Sequence, residues 1–352
     1  MTRVRARGEG IRRFILESIE KHPADISKLT ADHFQITRQA VSKHLQRLVA
    51  EGALAESGHT RNRSYKLAPL VEWRHLYNIS PESAEDVVFR NDITLVLGNQ
   101  PENVLDIWHY GFTEMFNNAI DHSGGSKIYV NIRKTAVNTE IALMDDGIGI
   151  FKKIQESLNL LDERHAILEL SKGKLTTDPA HHTGEGIFFT SRMFDSFGIL
   201  SGGVYFSHTF GESEDWIFER ERFASGSTVW MKLNNHTART TKKIFDHYVS
   251  GDDYGFTKTV VPVKLAQYGN DKLISRSQAK RVLARVELFK TVIFDFTEVP
   301  SIGQAFADEI FRVFQQKHPD IELLVTKANS EVKRMIERAK IGEIPVGEEE
   351  SL

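Results

Sequence analysis

FTEMFNNAIDHS, residues 112–123, is the stretch around which the rest of the chain is organised. Glu114 and Asn118 are four residues apart, so on a helix they lie one above the other on the same face. Mg²⁺ accepts few protein oxygens and keeps most of its water ligands, so a carboxamide beside a carboxylate suits a hydrated magnesium ion and an oriented nucleophile. Gly124 and Gly125 follow and predict a turn after the helix.

Two glycine motifs come later in the chain. The predicted strand TEIALMDDG reaches Asp145 near its end, and Gly147 and Gly149 follow closely. Glycine lets the backbone approach a flat ring, and the Asp145 carboxylate can accept a hydrogen bond from an amino group. In HHTGEGI, Gly184 and Gly186 stand at the predicted start of a helix. Free N–H groups and the helix dipole favour phosphate at such a position.

In this order and spacing, the motifs resemble those of the Bergerat-fold ATPases, the superfamily that includes gyrase and the histidine kinases, over residues 80–235. The resemblance implies an α/β sandwich that binds ATP and Mg²⁺. It implies adenine contacts at Asp145, Gly147, Gly149 and Thr228, the last in the predicted strand ASGSTVWMKL. It implies phosphate contacts at Gly184 and Gly186, and a Mg²⁺ ion that bridges the phosphates and is bound by Asn118.

The same resemblance implies that residues 151–183 form a lid over ATP. Lys172 or Lys174 would reach the γ-phosphate when this lid closes. The alternative is that both lysines are solvated charges on the lid surface.

Glu114 is the candidate general base. It would take a proton from water in a hydrolytic enzyme, or from a protein hydroxyl in a serine kinase, and the residues alone do not separate the two. A sensor histidine kinase is disfavoured, because none of the 14 histidines is followed by Asp or Glu as a phospho-acceptor typically is.

The composition predicts a soluble, multi-domain, cytoplasmic protein. The chain has 352 residues, more than one hydrophobic core usually serves. Its residues are 40% hydrophobic and 26% charged, which is ordinary for a soluble globular protein. No apolar run approaches the roughly 18 residues of a membrane span, and the start MTRVRARGEG lacks the apolar core of a signal peptide. The absence of cysteine excludes disulfides and thiolate metal sites.

The first 70 residues predict a nucleic-acid-binding head. They hold 13 basic and 7 acidic residues, a net charge of +6, whereas the remainder carries −9. ITRQAVSKHLQRLVAEG predicts a helix capped by Thr37 and stopped by Gly52. Polar and basic side chains that suit base edges and phosphates occupy its outer face and a following hairpin. These residues are Arg38, Gln39, Ser42, Lys43 and Arg47 on the helix and Arg61 and Arg63 on the hairpin.

Residues 8–70 resemble the winged helix-turn-helix family of bacterial regulators, which implies binding to double-stranded DNA. The alternative is a winged domain that binds another protein through the same solvated face.

The last third alternates predicted strands and helices, which calls for a small α/β domain. TVIFDFTEVPSIGQAFADEIF resembles the STAS fold of anti-sigma factor antagonists, and more closely the STAS-like domains fused to Bergerat ATPases, over residues 256–340. Gln304 and Ala305 stand where the antagonists have a phosphorylatable serine, so that phosphosite is missing; nearby Ser301 is interpreted as a loop cap. A protein partner is expected for this domain.

The expected architecture is therefore multi-domain α+β. Residues 1–70 form a winged helix, 71–235 a Bergerat α/β sandwich, 236–340 a connector helix and STAS-like domain, and 341–352 an acidic tail. The expected function is a regulator whose ATP state controls DNA or partner binding, with slow Mg²⁺-dependent hydrolysis. An anti-sigma-type serine kinase and a nucleotide-gated scaffold without turnover remain open, and homodimers are common among proteins of both families.

Overall fold

The computed structural model describes residues 3–58, 62–80, 84–175, 184–211, 215–249, 255–267 and 272–341. It is a multi-domain mixed α/β structure with three groups of elements in chain order. Within those ranges, every helix is too short or too polar to traverse a lipid bilayer. The tips of the predicted basic hairpin and the acidic tail lie outside the described residues.

The N-terminal group consists of three helices and one hairpin. Its elements are α1 (Arg3–Ser18), α2 (Ile26–Phe34), α3 (Arg38–Ala50), β1 (Leu54–Ser57) and β2 (Ser64–Leu67). The two strands pair antiparallel, from Leu54 opposite Leu67 to Ser57 opposite Ser64. Apolar residues at helical spacing, such as Val41 and Leu45 on α3, are buried in a core of this group's own.

Both ends of α3 follow the sequence prediction. The side-chain oxygen of Thr37 accepts a hydrogen bond from Ala40 N at 3.2 Å, which confirms the predicted N-cap. Gly52 has φ of +73° and its N–H donates to Val49 O at 3.0 Å, so the chain leaves the helix through a left-handed residue.

The central group is built on a five-stranded antiparallel sheet in the order β3-β4-β5-β7-β6. Its strands are β3 (Val71–Asn78), β4 (Lys127–Lys134), β5 (Asn138–Asp145), β6 (Ser196–Thr209) and β7 (Asp215–Asn234). β3 is an edge strand that was not predicted from the sequence. One face of β3 is polar and exposed. Its partner β4 lies far from it in the sequence, with Val71 opposite Lys134.

Helices cover this sheet. They are α4 (Glu85–Val88) and α5 (Thr94–Leu97), joined by a π-helical turn Phe89–Ile93, then α6 (Glu102–His122), α7 (Ile150–Ser157), α8 (Glu163–Lys172) and α9 (Gly186–Met193). On α6, Trp108, Phe112 and Phe116 recur every fourth residue and are fully buried. A Cβ at Gly111 would overlap the ring of Phe194, so this glycine lets α6 approach the end of α9.

The C-terminal group is a three-stranded parallel sheet in the order β10-β9-β8, with helices packed on it. After α10 (Thr241–Tyr248) come β8 (Lys258–Pro262), α11 (Arg276–Leu283), β9 (Thr291–Asp295), α12 (Gln304–Asp308), α13 (Gln315–Lys317), β10 (Glu322–Thr326) and α14 (Ser330–Ile341). A π-helical turn, Glu309–Phe314, makes α12 and α13 one continuous helix. The predicted alternation of strands and helices is confirmed.

The central and C-terminal groups share one continuous hydrophobic core. Phe256 joins them, because its ring centroid lies 4.7 Å from Phe188, 4.9 Å from Phe189 and 5.2 Å from Phe289. The N-terminal group is attached by polar contacts instead, including Lys232 Nζ to Glu20 Oε1 at 3.0 Å. Its core remains separate, and among the described residues the turn after β4, at Ala136 and Val137, packs against it.

Candidate functional site

One pocket brings together motifs that are far apart in the chain. It encloses about 470 Å³ of empty space, including its open mouth, between the end of α6, the end of β5 and the first turn of α9. Asn118 and Asp145, both singled out by the sequence, lie on its wall. The other lining residues are Met115, Ala119, His122, Ser123, Leu143, Ile150, Ile187, Ile199, Ser227 and Val229.

α6 contributes a face of the pocket at helical spacing. Met115, Asn118, Ala119 and His122 follow the i, i+3, i+4, i+7 pattern, so one continuous strip of the helix faces the cavity. Most of this strip is apolar, and Asn118 is its amide-bearing member. A carboxamide can present both an acceptor oxygen and N–H donors from such a position.

Glu114 lies beside this strip, against the start of α9. A Cβ built at Gly186 would overlap the Glu114 carboxylate, so the two lie directly against each other, and a larger residue would displace that side chain. Burial, with the nearby carboxylates of Glu114 and Glu185, raises the pKa of the Tyr110 phenol. Burial also raises the pKa of Glu185, against the charge of Lys174. Glu114 and Glu185 thus form an acidic wall beside the helix start, next to the pocket.

Asp145 ends β5 and is held by the turn that follows it. Its Oδ1 accepts a hydrogen bond from Gly147 N at 2.9 Å. Burial raises the pKa of Asp145, while the hydrogen bonds from Gly147 and Ser227 oppose that shift. A partly buried carboxyl group on a largely apolar wall can accept a hydrogen bond from a ligand amino group.

The glycines of the first glycine motif let the segments around the pocket pack closely together. A Cβ at Gly147 would overlap the carbonyl of Ser123, so the turn after β5 lies directly against the end of α6. Gly149 has φ of +92°, and a Cβ there would lie 2.6 Å from Ser201 Oγ. Neither glycine is among the lining residues. They position Asp145 and Ser123 instead of facing the cavity themselves.

The second glycine motif opens α9. Gly184 has φ of +72° and its carbonyl accepts a hydrogen bond from Leu175 N at 2.9 Å. Gly186 is the first residue of the helix, as predicted, and the next residue, Ile187, lines the pocket. His181 and Thr183, which begin the motif, lie outside the described residues.

Thr228 is not among the lining residues of the pocket. Its neighbours Ser227 and Val229 line the pocket, and successive side chains on a strand point to opposite faces, so the Thr228 side chain faces away from this space. Ser227 is the hydroxyl-bearing residue of β7 on the pocket wall. It accepts a hydrogen bond from Ile150 N at 2.9 Å through its Oγ, and it hydrogen-bonds Asp145.

Asp146 has a structural role that the sequence analysis missed. Its carboxylate accepts hydrogen bonds from Ser126 N at 2.6 Å, Lys127 N at 2.9 Å and Ser126 Oγ at 2.8 Å. The Lys127 N–H, followed by the two groups of Ser126, lowers the pKa of Asp146 to about 2. The carboxylate fastens the end of β5 to the start of β4. The two successive aspartates before Gly147 were the sequence signal from which this role could have been considered.

The segment expected to be a lid is packed elsewhere. Of residues 151–175, none lines the pocket; they form α7 and α8, and all of His165–Lys172 is buried. α8 lies against β8 and the turn that follows it in the C-terminal group. The expectation that this part of the lid covers the pocket is therefore wrong for this structure, because its apolar residues belong to the shared core. Residues 176–183 lie outside the described residues.

Lys172 is neither solvated nor near the pocket. Its side chain is 0% exposed, and its ammonium lies 2.7 Å from Glu169 Oε1, 2.7 Å from Ala284 O and 3.1 Å from Arg281 O. Three acceptors satisfy the three donors of an ammonium group, and two of them are carbonyls at the end of α11, where a cation is favoured. Burial lowers the pKa of Lys172, and Glu169 opposes this.

Lys174 also points to the C-terminal group. Its Nζ donates to Leu288 O at 2.9 Å and lies 4.9 Å from the centre of the Phe289 ring. Arg285 reinforces the junction, since it pairs with Glu169 at 3.3 Å and donates to the carbonyl of Lys174. Neither lysine is therefore placed to reach a phosphate in the pocket. Both anchor α8 and its end to the C-terminal group.

The lining of the pocket is chemically compatible with the base of a nucleotide. Its apolar walls and partly buried carboxyl group are of the kind that contact a flat ring with an amino substituent, and the Asn118 carboxamide lies on the same wall. The described residues hold no group of three His, Asp or Glu side chains suited to a metal. A Mg²⁺ bound through one protein oxygen, with phosphates and water as its other ligands, requires no such group.

The N-terminal group presents the predicted basic face. Arg38, Gln39, Lys43 and Arg47 are exposed on α3, and Ser42 is half-buried there. Arg47 and Arg63 make surface ion pairs, Arg47 to Glu51 at 2.7 Å and Arg63 to Glu56 at 3.0 Å. Burial, followed by the positive charges of Arg12 and Arg47, lowers the pKa of His44 on the same helix. Arg61 lies outside the described residues.

The C-terminal helix start agrees with the sequence. Gln304 is the first residue of α12 and Ala305 the second, so glutamine occupies the opening of the helix. Ser301 lies in the preceding loop. No hydroxyl group opens this helix.

Comparison with known proteins identifies the last group. No curated protein matches the chain. Residues 278–333, which run from α11 into α14, match the family described as a STAS-like domain of unknown function (DUF4325). The chain therefore carries a STAS-like domain in its C-terminal part, as its sequence predicts.

Proposed function

We propose that this chain is an ATP- and Mg²⁺-dependent regulator that binds double-stranded DNA through its N-terminal group. The observation that carries the proposal is the pocket that brings together Asn118 and Asp145, which are 27 residues apart in the chain. Glu114 of α6 lies beside this pocket, against the first residue of α9. Asp145 accepts from the adenine amino group between apolar walls. Asn118 would hold a Mg²⁺ ion, which would neutralise phosphate charge there, and the start of α9 at Gly186 would offer its N–H groups to the phosphates.

Glu114 serves as general base in a slow hydrolysis. It takes a proton from a water molecule whose oxygen attacks the γ-phosphorus, and the products are ADP and phosphate. Its position one turn before Asn118 on α6 supports this role, because the base must lie next to the metal-bound phosphates. Hydrolysis is favoured over phosphorylation of this chain's own STAS-like domain, since Gln304 and Ala305 open α12 where a serine would accept phosphate.

Nucleotide state reaches the C-terminal group through α8. This helix stands between the pocket and the STAS-like domain, and Lys172 and Arg285 tie it to α11 and its end. A shift of α9 on phosphate binding would move α8, which packs against it, and with it the surface that the STAS-like domain presents to a partner.

ATP binding tests the pocket. Isothermal titration with ATP and Mg²⁺ compares the wild type with Asn118→Ala and with the control Asn117→Ala, whose half-buried side chain lies on the same helix but does not line the pocket. We expect Asn118→Ala to weaken binding about tenfold or more, since a metal-ligand or charge-assisted contact is worth roughly 1.5–3 kcal/mol. Equal affinity in the two variants contradicts the assignment.

The fate of the γ-phosphate tests the chemistry. With γ-labelled ATP, free labelled phosphate supports hydrolysis, label on protein supports a serine kinase, and neither supports a scaffold without turnover. Glu114→Gln should abolish phosphate release while ATP still binds. Unchanged release in Glu114→Gln would show that Glu114 is not the base.

DNA binding tests the N-terminal group. Gel-shift titrations across salt concentrations should show a steep loss of affinity with salt, because cations on α3 displace counterions from the phosphates. Arg38→Ala should cost about 1–3 kcal/mol if Arg38 reads a base, and Lys43→Ala should lower the salt slope by about 1. Lys21→Ala, an exposed lysine after α1, is the charge-matched control. Salt-independent binding, or none, favours a protein-binding head.

A further inference from the structure

β3 is an open edge of the central sheet. The strand order is β3-β4-β5-β7-β6, and among the described residues no strand pairs with the outer side of β3. An open edge is a template for another strand, so natural sheets often blunt their edges with very short strands, prolines or bulges. β3 has none of these three devices. It is eight residues long, VEWRHLYN, and it pairs with β4 without a break from Val71 to Asn78.

The opposite edge of the same sheet is different. The register of β6 with β7 shifts between Ser201 and Gly202 and again between Gly202 and Val204, and Gly202 has φ of +57°. Bulges of this kind bend a strand and interrupt the row of donors and acceptors that a second strand would need. One edge of the sheet is therefore irregular, whereas β3 is regular along its whole length.

The outer side of β3 presents backbone hydrogen-bonding groups. Ile79 continues the register of β3 with β4, and its N–H donates to Ser126 O at 2.8 Å. In an antiparallel pair, successive residues direct their N–H and C=O groups alternately to the two sides of the strand. The backbone groups of Glu72, Arg74 and Leu76 therefore point outwards. All three residues are exposed, so a second strand has access to this side.

The side chains of β3 are complementary to those of a second copy. When two copies pair antiparallel through their outward groups, a two-fold axis at Trp73 places Glu72 of each copy opposite Arg74 of the other. Leu76 of each copy then lies opposite Leu70, and these leucines are 51% and 50% exposed. Moving the axis to Arg74 would place the two copies of Arg74 opposite each other, and like charges in that position are destabilising. The charges thus favour the register centred on Trp73.

The sheet of one copy does not provide this complement for Arg74. Within one copy, Arg74 lies opposite Asn131 of β4, and Glu72 lies opposite Arg133. The residue directly across from Arg74 in its own sheet is thus an amide, and a second copy supplies the carboxylate on the other side. Cross-strand pairs of opposite charge stabilise a sheet.

We propose that two copies of this chain associate through β3, antiparallel about a two-fold axis at Trp73, and join their central sheets into one. The backbone groups of Glu72, Arg74 and Leu76 provide the hydrogen bonds, and the two Glu72–Arg74 pairs set the register. Because only residues 68–70 separate β2 from β3, the same axis relates the two N-terminal groups. The association does not depend on whether those groups bind DNA or the pocket binds ATP.

Sedimentation velocity of the full chain over a range of concentrations tests the proposal. An interface built on one strand pair is small, so we expect a concentration-dependent equilibrium between monomer and dimer. Glu72→Arg and Arg74→Glu should each weaken dimerisation about tenfold or more, because each variant alone places like charges opposite each other twice. Both side chains are exposed, so the fold should not depend on them.

An equimolar mixture of the Glu72→Arg and Arg74→Glu variants tests the register itself. In a mixed dimer every charge again lies opposite its complement, so the mixture should dimerise as the wild type does. This recovery would also show that both variants are folded. Lys242→Glu, which reverses an exposed charge on α10, is the control and should leave the dimer unchanged. The proposal is overturned if the wild type is monomeric at every concentration, if either single variant dimerises as the wild type does, or if the mixture stays monomeric.

Discussion

The pocket at the end of α6 and the helix α8 were both assigned from the same family resemblance, and the structure treats them differently. In the pocket, residues from two motifs meet on one wall, Asn118 and Asp145. In α8, the lysine expected to reach a phosphate is fully buried against the STAS-like domain. Spacing within a helix or at a strand end predicts which way a side chain faces. It does not predict what another domain will cover.

The largest effect is expected in α8, where Lys172 is replaced. Lys172→Ala should lower the free energy of unfolding by about 3–5 kcal/mol, because it leaves the Glu169 carboxylate buried with only Arg285 as partner. Denaturant unfolding of the purified variant measures this. Lys172→Met with Glu169→Leu removes both charges and should recover much of the loss. A loss of less than about 1 kcal/mol in the single variant would mean that the lysine is solvated.

Gly226→Ala is expected to have the next largest effect, on the pocket side. Gly226 has φ of +75°, and a Cβ there would overlap the carbonyl of Asp145. We expect a loss of about 1–3 kcal/mol in stability from the strained backbone, with weaker ATP binding because Asp145 must shift. Gly211→Ala is the control, since it has φ of +81° but open space around it. Equal effects of the two would mean that the overlap is relieved without cost.

Asp146→Asn should lower stability in a pH-dependent way. The pKa of Asp146 is lowered to about 2 in the folded state, so its contribution is fully present above the unfolded value of 3.8 and is lost as pH falls towards 2. The difference in Tm between wild type and variant should therefore be constant above about pH 4 and shrink between pH 4 and 2. A difference that does not change across this range would contradict the assigned hydrogen bonds.

The smallest effect is expected at Thr228, and it sharpens the description of the pocket. Thr228→Val should leave ATP affinity unchanged, because Thr228 faces away from the pocket. Ser227→Ala should weaken ATP binding, since it removes the hydroxyl that bonds Ile150 N and Asp145. Competition titrations with a fluorescent ATP analogue compare the two. The reverse order of effects would restore Thr228 as the adenine contact.

Much of the secondary structure was predictable from local signals. The start of α3 at Thr37, the start of α9 at Gly186 and the alternating C-terminal elements all follow from capping residues, glycine and apolar spacing. β3 was not predictable in this way. An edge strand with one polar face carries a weak pattern, and its partner β4 begins 49 residues after β3 ends.

In the candidate site, too, some residues were predictable from local signals and others were not. Asn118 and Asp145 were identified from local spacing. The position of Asn118 along its helix and of Asp145 at a strand end before glycine fixes which way each side chain faces. Which of Ser227 and Thr228 lines the pocket could not be predicted, because strand alternation indicates that neighbours face opposite ways but not which of them faces the pocket. Asp146 was overlooked because its partners, Ser126 and Lys127, precede it by about 20 residues.

By itself, the sequence determined which elements form and which chemical groups they carry, since capping, periodicity and turn residues act within a few positions of the chain. It also determined the charge difference between the head and the rest, and the family of residues 278–333. Only the tertiary structure decided that α8 belongs to the junction with the STAS-like domain and that Lys172 is buried there. These features depend on contacts between residues far apart in the chain, such as Lys172 and Ala284, which are 112 positions apart, and no local pattern encodes them.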